Sequence, residues 1–289
     1  MGGGGARVIR LGVRVPRERA ELVAAELLGL SPGGLEEVDL EGGVVELAIY
    51  GAPGEVADMG ELRAVVGDAL VEVVTSEVPD DWSERWRDWH RPLDVGPLRV
   101  RPPWEPGRPG ALDIVIDPGQ AFGTGAHPST RLCLELLCDL VEGGPLADWG
   151  CGSGVLALAA ARLGFHPVLA CDHDPASVEA TLAAAETNGI AAHVVEAAAR
   201  ASTGDKSVIV SRCDLRRAPG PWAPTVTANL VRPLLLEVAA LMQRPPERLI
   251  ASGLETGEAD EVAAAFARHG LREQARREGD GWSAILLTG

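Results

Sequence analysis

The sequence predicts an α/β protein of two domains, a small α+β domain followed by a doubly wound, mostly parallel sheet. Residues 7–76 contain strand and helix patterns in the order βαββαβ, which is the order of ferredoxin-like modules. From about residue 130, short apolar strands alternate with helical segments, as in a parallel sheet covered on both faces. A length of 289 residues also suits about two domains.

The first domain follows from local patterns. Residues 7–15 alternate apolar and polar side chains like a strand, and Pro16 opens an amphipathic helix. Strand patterns on either side of Gly42 and Gly43 predict a hairpin, and a helix (55–70) and a fourth strand (71–78) complete the unit. We assign residues 6–77 to a ferredoxin-like recognition domain.

The charge of this domain favours a protein partner over RNA. Residues 7–76 hold 6 arginines against 13 acidic residues, a balance of 6 − 13 = −7. An RNA-binding sheet would also need exposed aromatic side chains, and Tyr50 is the only aromatic residue in this range.

Three tryptophans mark the junction between the domains. Trp82, Trp86 and Trp89 are spaced to share one face of a helix. We assign residues 78–93 to a linker helix whose tryptophans pack between the domains; the alternative is that one tryptophan lines the mouth of an active site. Residues 94–289 then form the second domain, with a strand near residue 98, a Pro/Gly-rich loop and the alternating helices and strands.

Composition excludes several functions. A formal net charge of −16 argues against broad nucleic-acid binding and suits a basic protein partner, although acidity also serves solubility. Five cysteines without a C-x-x-C motif indicate a reducing compartment, and six scattered histidines give no metal site. With neither a signal peptide nor an apolar run of about 18 residues, we expect a soluble, cytoplasmic protein without a membrane partner.

A glycine loop predicts a nucleoside-type cofactor. Residues 146–160 read as strand, G-x-G-x-G and helix, and Asp172 follows the loop by about twenty residues, where a carboxylate can accept from ribose hydroxyls. The alternative is a structural turn with Asp172 as a helix N-cap. The spacing is not the G-x-G-x-x-G of dinucleotide sites. Asp148 before the loop would repel phosphate and suit a cationic sulfonium, which favours S-adenosylmethionine over NAD.

A second glycine-rich stretch, AFGTGAHPST (121–130), indicates backbone that approaches a ligand or adopts positive φ. Together with DWGCGSGVLALAA (148–160), ACDHDPASV (170–178) and ANLVRPLL (228–235), it resembles the bacterial PrmA family, the methyltransferases of large-subunit ribosomal protein eleven. The tryptophan linker and the N-terminal module are similar too, so the resemblance spans nearly the whole chain.

The resemblance implies a class I S-adenosylmethionine-dependent methyltransferase, a Rossmann-like sheet with a seventh, antiparallel edge strand at residues 281–289. It implies transfer of methyl groups to amino groups of the ribosomal protein, either lysine side chains or the N-terminal amine. The N-terminal domain would present that protein. We expect a monomer without sequence-specific nucleic-acid contacts.

The resemblance also assigns site residues. The family's cofactor positions fall on Thr130, Gly150, Asp172 and Asn229, and Asn229 would orient the amine. Residues 121–130 would close over the methionine end of the cofactor, and His127 would either face substrate with its neighbours or fix the loop. No general base is assigned. The full cofactor set is Phe122, Gly123, Thr124, Thr130, Asp148, Gly150, Gly152, Asp172, Asn229 and, as a further adenine candidate, Asp214; the substrate-facing set is Phe122, Thr124 and His127.

Four departures from the family pattern leave the target open. Trp149 replaces a small aliphatic residue, Arg232 follows the asparagine where small or apolar residues are usual, and residues 191–214 are long and poorly matched. The aspartate that usually precedes the fourth strand is also missing. One alternative is therefore an enzyme of the same fold that acts on another protein or a small molecule. A second is a non-catalytic, ribosome-associated binding protein.

Overall fold

The computed structural model describes residues 9–28, 35–40, 42–51, 62, 66–67, 70–77, 91–118, 127–140, 143–195 and 206–289. The chain divides into two compact units, one of residues 1–90 with 118–122 and one of residues 91–117 with 123–289. Most of the predicted linker helix, with its three tryptophans, lies outside the described residues.

The first unit contains an antiparallel sheet. Its elements are β1 (Ile9–Pro16), α1 (Arg17–Leu28), β2 (Leu35–Leu40), β3 (Val44–Gly51) and β4 (Glu72–Glu77). The strand order β2-β3-β1-β4 is that of a βαββαβ module, because β1 pairs with both β3 and β4. Alternate residues of β1, Leu11, Val13 and Val15, are buried with Val23 and Leu27 of α1. Most of the predicted second helix (55–70) lies outside the described residues.

The second unit contains two sheets and five described helices. A small sheet is formed by β5 (Leu93–Val95), β6 (Leu98–Arg101) and β7 (Leu112–Val115). The remaining elements are α2 (Pro128–Cys138), β8 (Gly144–Trp149), α3 (Val155–Arg162), β9 (Phe165–Asp172), α4 (Pro175–Thr187), β10 (Ala192–Val195), β11 (Val208–Arg212), β12 (Thr225–Asn229), α5 (Arg232–Leu241), β13 (Arg248–Glu255), α6 (Ala259–Ala267), β14 (Arg272–Gly279) and β15 (Trp282–Thr288).

The eight-stranded sheet confirms the doubly wound prediction. Its order is β10-β11-β9-β8-β12-β13-β15-β14. The first six strands in this order are parallel to one another, and β15 runs antiparallel to both of its neighbours. Successive residues of each strand point to opposite faces of the sheet, and each face packs into its own apolar cluster. One cluster includes residues of α2, α3 and α4, and the other includes residues of α5 and α6. Both faces are therefore covered, as parallel sheets require. In the described part of the chain, no helix combines the length and apolar character needed to cross a bilayer.

One sequence prediction about the sheet, the place of the C-terminal strand at its edge, was wrong. The C-terminal segment is antiparallel as expected, but β15 lies inside the sheet and β14 forms the edge. A hairpin at Asp280 and Gly281, both with positive φ (52° and 83°), adds β14 beyond β15. The sequence did not indicate β14 because it is charged and largely exposed, which is how edge strands avoid pairing with other chains.

The sequence of residues 191–207 fits a helical extension or a mobile loop. Of these residues, Ala192–Val195 instead form β10, which pairs in parallel register with β11. β11 in turn pairs with β9, so the stretch widens the sheet by one strand. Residues 196–205 lie outside the described residues.

Candidate functional site

The glycine loop between β8 and α3 turns back under tight steric limits. The amides of Gly150 and Cys151 donate to the carbonyl of Cys171, at 2.8 and 3.0 Å. Gly150 has φ +75°, and a Cβ there would lie 2.3 Å from Cδ2 of Leu230. A side chain at this position would be strained at positive φ and would have to displace Leu230, so the turn favours glycine.

Asp172 holds the loop from the next strand. Its Oδ2 accepts from the amide of Gly152 at 3.0 Å, and its Oδ1 accepts from the amide of Asp174 at 3.0 Å. The side chain that caps α4 is Asp174, which accepts from Ala176. The interpretation of Asp172 as a helix N-cap is therefore wrong. A carboxylate has further lone pairs, so Asp172 can still accept from ligand hydroxyls.

Asp148 lies beneath the loop instead of at its surface. It is 1% exposed; its Oδ1 accepts from Thr227 Oγ1 at 2.7 Å and its Oδ2 from the amide of Ala157 at 3.1 Å. Burial raises the pKa of Asp148 to about 7. Asp148 thus joins β8, β12 and the first turns of α3. Because the carboxyl is buried, it would influence a bound cation through its charge and not through direct contact. Thr227 was not predicted from the sequence as a residue of the site, although a polar threonine within an apolar, buried strand could have indicated it.

Asn229 and Thr130 meet at the same edge of the sheet. Asn229 ends β12, and its Nδ2 donates to Oγ1 of Thr130 at 3.1 Å. Thr130 lies in the first turn of α2 and is fully buried. Two predicted site residues 99 positions apart in sequence are therefore in direct contact.

His127 caps the start of α2. Its Nδ1 lies 2.7 Å from Ser129 Oγ and 3.3 Å from the Ser129 amide, and its ring meets Trp282 edge-on at 4.4 Å between centroids. Burial lowers the pKa of His127, which favours the neutral imidazole. This geometry supports the loop-fixing alternative for His127. Three other predicted residues, Phe122, Gly123 and Thr124, lie outside the described residues.

Asp214 stands just beyond the end of β11, on the same carboxyl edge of the sheet. Its carboxylate pairs with Arg216 at 2.8 Å and with Arg217 at 3.3 Å, and the hydrogen bond from Arg216 is the main cause that lowers the pKa of Asp214. The two arginines balance an acid that would otherwise add to the charge of Asp172.

Two departures from the family pattern have structural explanations. Trp149 is buried, its Nε1 donates to the carbonyl of Pro221 at 2.9 Å, and it lines a cavity of about 190 Å³. Arg232 reaches from α5 to Glu258 and Glu261, at 2.8 and 2.9 Å. Both side chains therefore bind other parts of the chain.

The described residues suit an organic cofactor. They contain no cluster of three or more His, Cys, Asp or Glu side chains that could hold a metal ion. A glycine turn with room only for backbone and a carboxylate at the end of the next strand fit a nucleoside with adjacent hydroxyls. The site also lies at the carboxyl end of β8, where the strand order reverses because β9 flanks β8 on one side and β12 on the other, and such switch points are where these folds bind ligands.

The doubly wound sheet with its antiparallel β15 has the fold of class I S-adenosylmethionine-dependent methyltransferases. A family model described as ribosomal protein L11 methyltransferase (PrmA) matches residues 55–288. The chain belongs to this family.

Named relatives agree with this assignment. Ribosomal protein L11 methyltransferases of Chromohalobacter salexigens and Symbiobacterium thermophilum are 36% and 39% identical over 72% of this chain, and the alignments cover 66% and 65% of those proteins, just under two thirds. The Azotobacter vinelandii protein of the same name is 36% identical over 83% of this chain and 79% of its own length. The crystal structure of a ribosomal protein L11 methylase from Lactobacillus delbrueckii subsp. bulgaricus has the same fold, with TM-score 0.56 and 23% identity over 69% of this chain and 98% of its own.

Proposed function

We propose that this protein transfers methyl groups from S-adenosylmethionine to amino groups of ribosomal protein L11, on lysine side chains or at the N-terminus. The observation that carries the proposal is the Asn229–Thr130 hydrogen bond, which joins two predicted site residues at the edge where the glycine loop and Asp172 also meet. Family membership and the names of the relatives support the choice of target.

The cofactor residues have distinct tasks in this proposal. Gly150 and Gly152 allow the backbone to approach the ligand, and Asp172, already oriented by two amide donors, accepts from the ribose hydroxyls. Asp214 stands at the next strand end, toward the adenine. S-adenosylmethionine, when bound, supplies a methyl group activated by its sulfonium.

The target amine must be held and must be neutral. Because Nδ2 of Asn229 donates to Thr130, its amide oxygen is the atom that would accept a hydrogen bond from the amine. A free lysine has a pKa of about 10.4, and a pocket that excludes water lowers it by disfavouring the ammonium form. Alignment and desolvation are then the main contributions of the protein, and we assign no general base.

The charge of the chain suits this target. A net charge of −16 would attract a basic ribosomal protein and speed its encounter. In the proposal the N-terminal unit presents that protein to the second unit, and the enzyme works as a monomer in the cytoplasm, where the target is available. The ion pairs of Arg232 with Glu258 and Glu261 weaken the alternative of another substrate, because this cation is already neutralised.

The test combines calorimetry with mass spectrometry. The purified chain is titrated with S-adenosylmethionine and then incubated with the cofactor and L11 from its own organism. We expect cofactor binding and methylated L11. Binding without methylation would point to another substrate, and a chain that does not bind the cofactor would refute the enzymatic proposal.

A matched pair of variants tests Asp172. Asp172→Asn should weaken cofactor binding by about tenfold or more, because it removes a charged acceptor worth about 1.5–3 kcal/mol. Asp174→Asn makes the same chemical change two residues away and keeps a good N-cap, so its affinity should match the unmodified chain. Equal affinities in the two variants would remove Asp172 from the site.

A further inference from the structure

Thr181 connects helix α4 to the glycine loop. It lies in the middle of α4 and is fully buried. Its Oγ1 donates to the carbonyl of Gly152 at 3.0 Å and lies 3.3 Å from Sγ of Cys151. A hydroxyl has one proton, and the Gly152 carbonyl is both the nearer and the stronger acceptor. The hydroxyl proton of Thr181 is therefore bound to the backbone of the loop.

The Thr181 hydroxyl bonds outside its own helix. A threonine within a helix can donate to the carbonyl four residues earlier, and Thr187 does this with Ala183 at 2.9 Å. Thr181 instead donates to a residue 29 positions away in sequence. Because alanine suits a helix better than threonine, helix formation alone does not explain a threonine in the alanine-rich α4.

Gly152 is held on both sides by side chains. Its amide donates to Oδ2 of Asp172 at 3.0 Å, and its carbonyl accepts from Thr181 at 3.0 Å. Gly152 has φ +51°, and because glycine reaches many other conformations as easily, these two bonds fix the peptide groups on either side of it. Within residues 151–154, Gly152 is the residue that is not buried, so it is the part of the loop that is open to a ligand.

The methyl group of Thr181 also packs closely against the loop. A Cβ at Gly154 would lie 2.9 Å from Cγ2 and 3.1 Å from Cα of Thr181. The loop therefore contacts both the methyl group and the hydroxyl of this side chain. The two groups can be removed separately by substitution.

We propose that Thr181 is a positioning residue for S-adenosylmethionine, because it fixes the Gly152 carbonyl and, together with Asp172, holds the glycine loop in the conformation that binds the cofactor. This role rests on the proposed function, in which Gly152 and Asp172 line the cofactor site. Without the Thr181 hydroxyl, a smaller fraction of the free chain would hold this loop conformation, and the apparent affinity falls in proportion to that fraction. The expected loss is about fivefold in affinity, the equivalent of one hydrogen bond.

Four variants separate the effect of the hydroxyl from the effect of packing. Thr181→Val keeps the shape of the side chain but not the hydrogen bond, whereas Thr181→Ser keeps the hydrogen bond but loses the buried methyl group. Thr181→Ala loses both, suits a helix and differs from Thr181→Ser only by the hydroxyl oxygen, so this pair repeats the comparison if valine prevents folding. Thr187→Val is the control, because it removes an exposed hydroxyl from the same helix.

Calorimetric titration of each folded variant with S-adenosylmethionine measures affinity, and urea unfolding measures stability. Thr181→Val and Thr181→Ala should bind about fivefold more weakly than the unmodified chain, and Thr181→Ser and Thr187→Val should bind within about twofold of it. Thr181→Ser should nevertheless be less stable than the unmodified chain, because it loses a buried methyl group. Affinity would then follow the hydroxyl and not the stability.

Three results would overturn the positioning role: equal affinities in Thr181→Ser and Thr181→Ala, a Thr181→Val chain that binds as tightly as the unmodified chain, or a loss in Thr187→Val that matches the loss in Thr181→Val. A folded, unmodified chain that does not bind S-adenosylmethionine would instead refute the proposed function, and with it the role that rests on it.

Discussion

Replacing Asp148 by asparagine should change how stability depends on pH. The carboxyl is 1% exposed and receives hydrogen bonds from Thr227 and Ala157. An asparagine oxygen can accept from the Ala157 amide, and its NH₂ can donate to the Thr227 hydroxyl, so the shape and pairing of the site are retained. What the substitution removes is the ability of the site to ionise.

The sign and size follow from the pKa values. Burial raises the pKa of Asp148 from 3.8 to about 7, so between these values the folded chain keeps a proton that the unfolded chain has lost. The free energy of unfolding therefore falls as pH rises through this window, by about 4 kcal/mol in all at about 1.4 kcal/mol per pH unit. Between pH 5 and pH 8 the stability of Asp148→Asn should gain about 3 kcal/mol relative to the unmodified chain.

Urea unfolding at pH 5 and pH 8, followed by circular dichroism, measures this difference. Asp139→Asn is the control, because Asp139 is an exposed acid paired with Arg277 and should show little change between the two pH values. If the stability difference between Asp148→Asn and the unmodified chain were the same at both pH values to within about 0.5 kcal/mol, Asp148 would not titrate in this window and the reasoning would fail.

Two further substitutions probe the packing around the site. Gly150→Ala should lower the free energy of unfolding by about 2 kcal/mol, and weaken cofactor binding, because it strains the backbone at a φ of +75° and makes the Leu230 side chain move away from a Cβ at 2.3 Å. Trp149→Phe should cost about 1–2 kcal/mol, because it removes the Nε1 donor to the Pro221 carbonyl. Urea unfolding measures both changes, and calorimetry measures the loss of affinity.

Each substitution has a matched control. Gly164→Ala also places alanine at positive φ, +92°, but no atom lies within 4 Å of the new Cβ, so only backbone strain of about 1 kcal/mol applies. Trp222→Phe removes an indole donor whose bond, to Pro245, is exposed, and should change stability by less than about 0.5 kcal/mol. If a control substitution lowered the free energy of unfolding as much as its test substitution, the Leu230 contact or the Pro221 hydrogen bond would not be the cause of the loss.

Patterns of period and spacing were enough to predict the parallel sheet and the glycine turn. Strand residues such as Ala147 and Leu169 are apolar because both faces of the sheet are covered, so the strands stand out as continuous apolar runs. Gly150 and Asp172 could be found because a loop and the strand after it are local in sequence. The edge strand β14 was not predicted because its charged sequence has no alternating apolar pattern that would indicate a strand.

The contacts that build the site come from the tertiary fold. Thr130 and Asn229, and Asp148 and Thr227, are distant from each other in sequence, and adjacent strands or packed helices bring each pair together.

The sequence by itself determined that this protein has a doubly wound sheet with a glycine turn and a carboxylate on the next strand. It did so because hydrophobic periodicity and glycine spacing reflect the local backbone. Only the tertiary structure decided that Asp148 is buried instead of exposed to ligand, that Asp174 and not Asp172 caps α4, and that β15 lies inside the sheet. The burial of Asp148 and the place of β15 depend on which strands become neighbours, and hydrogen bonding between segments far apart in the chain settles that choice. The cap of α4 depends only on the residue at which that helix begins.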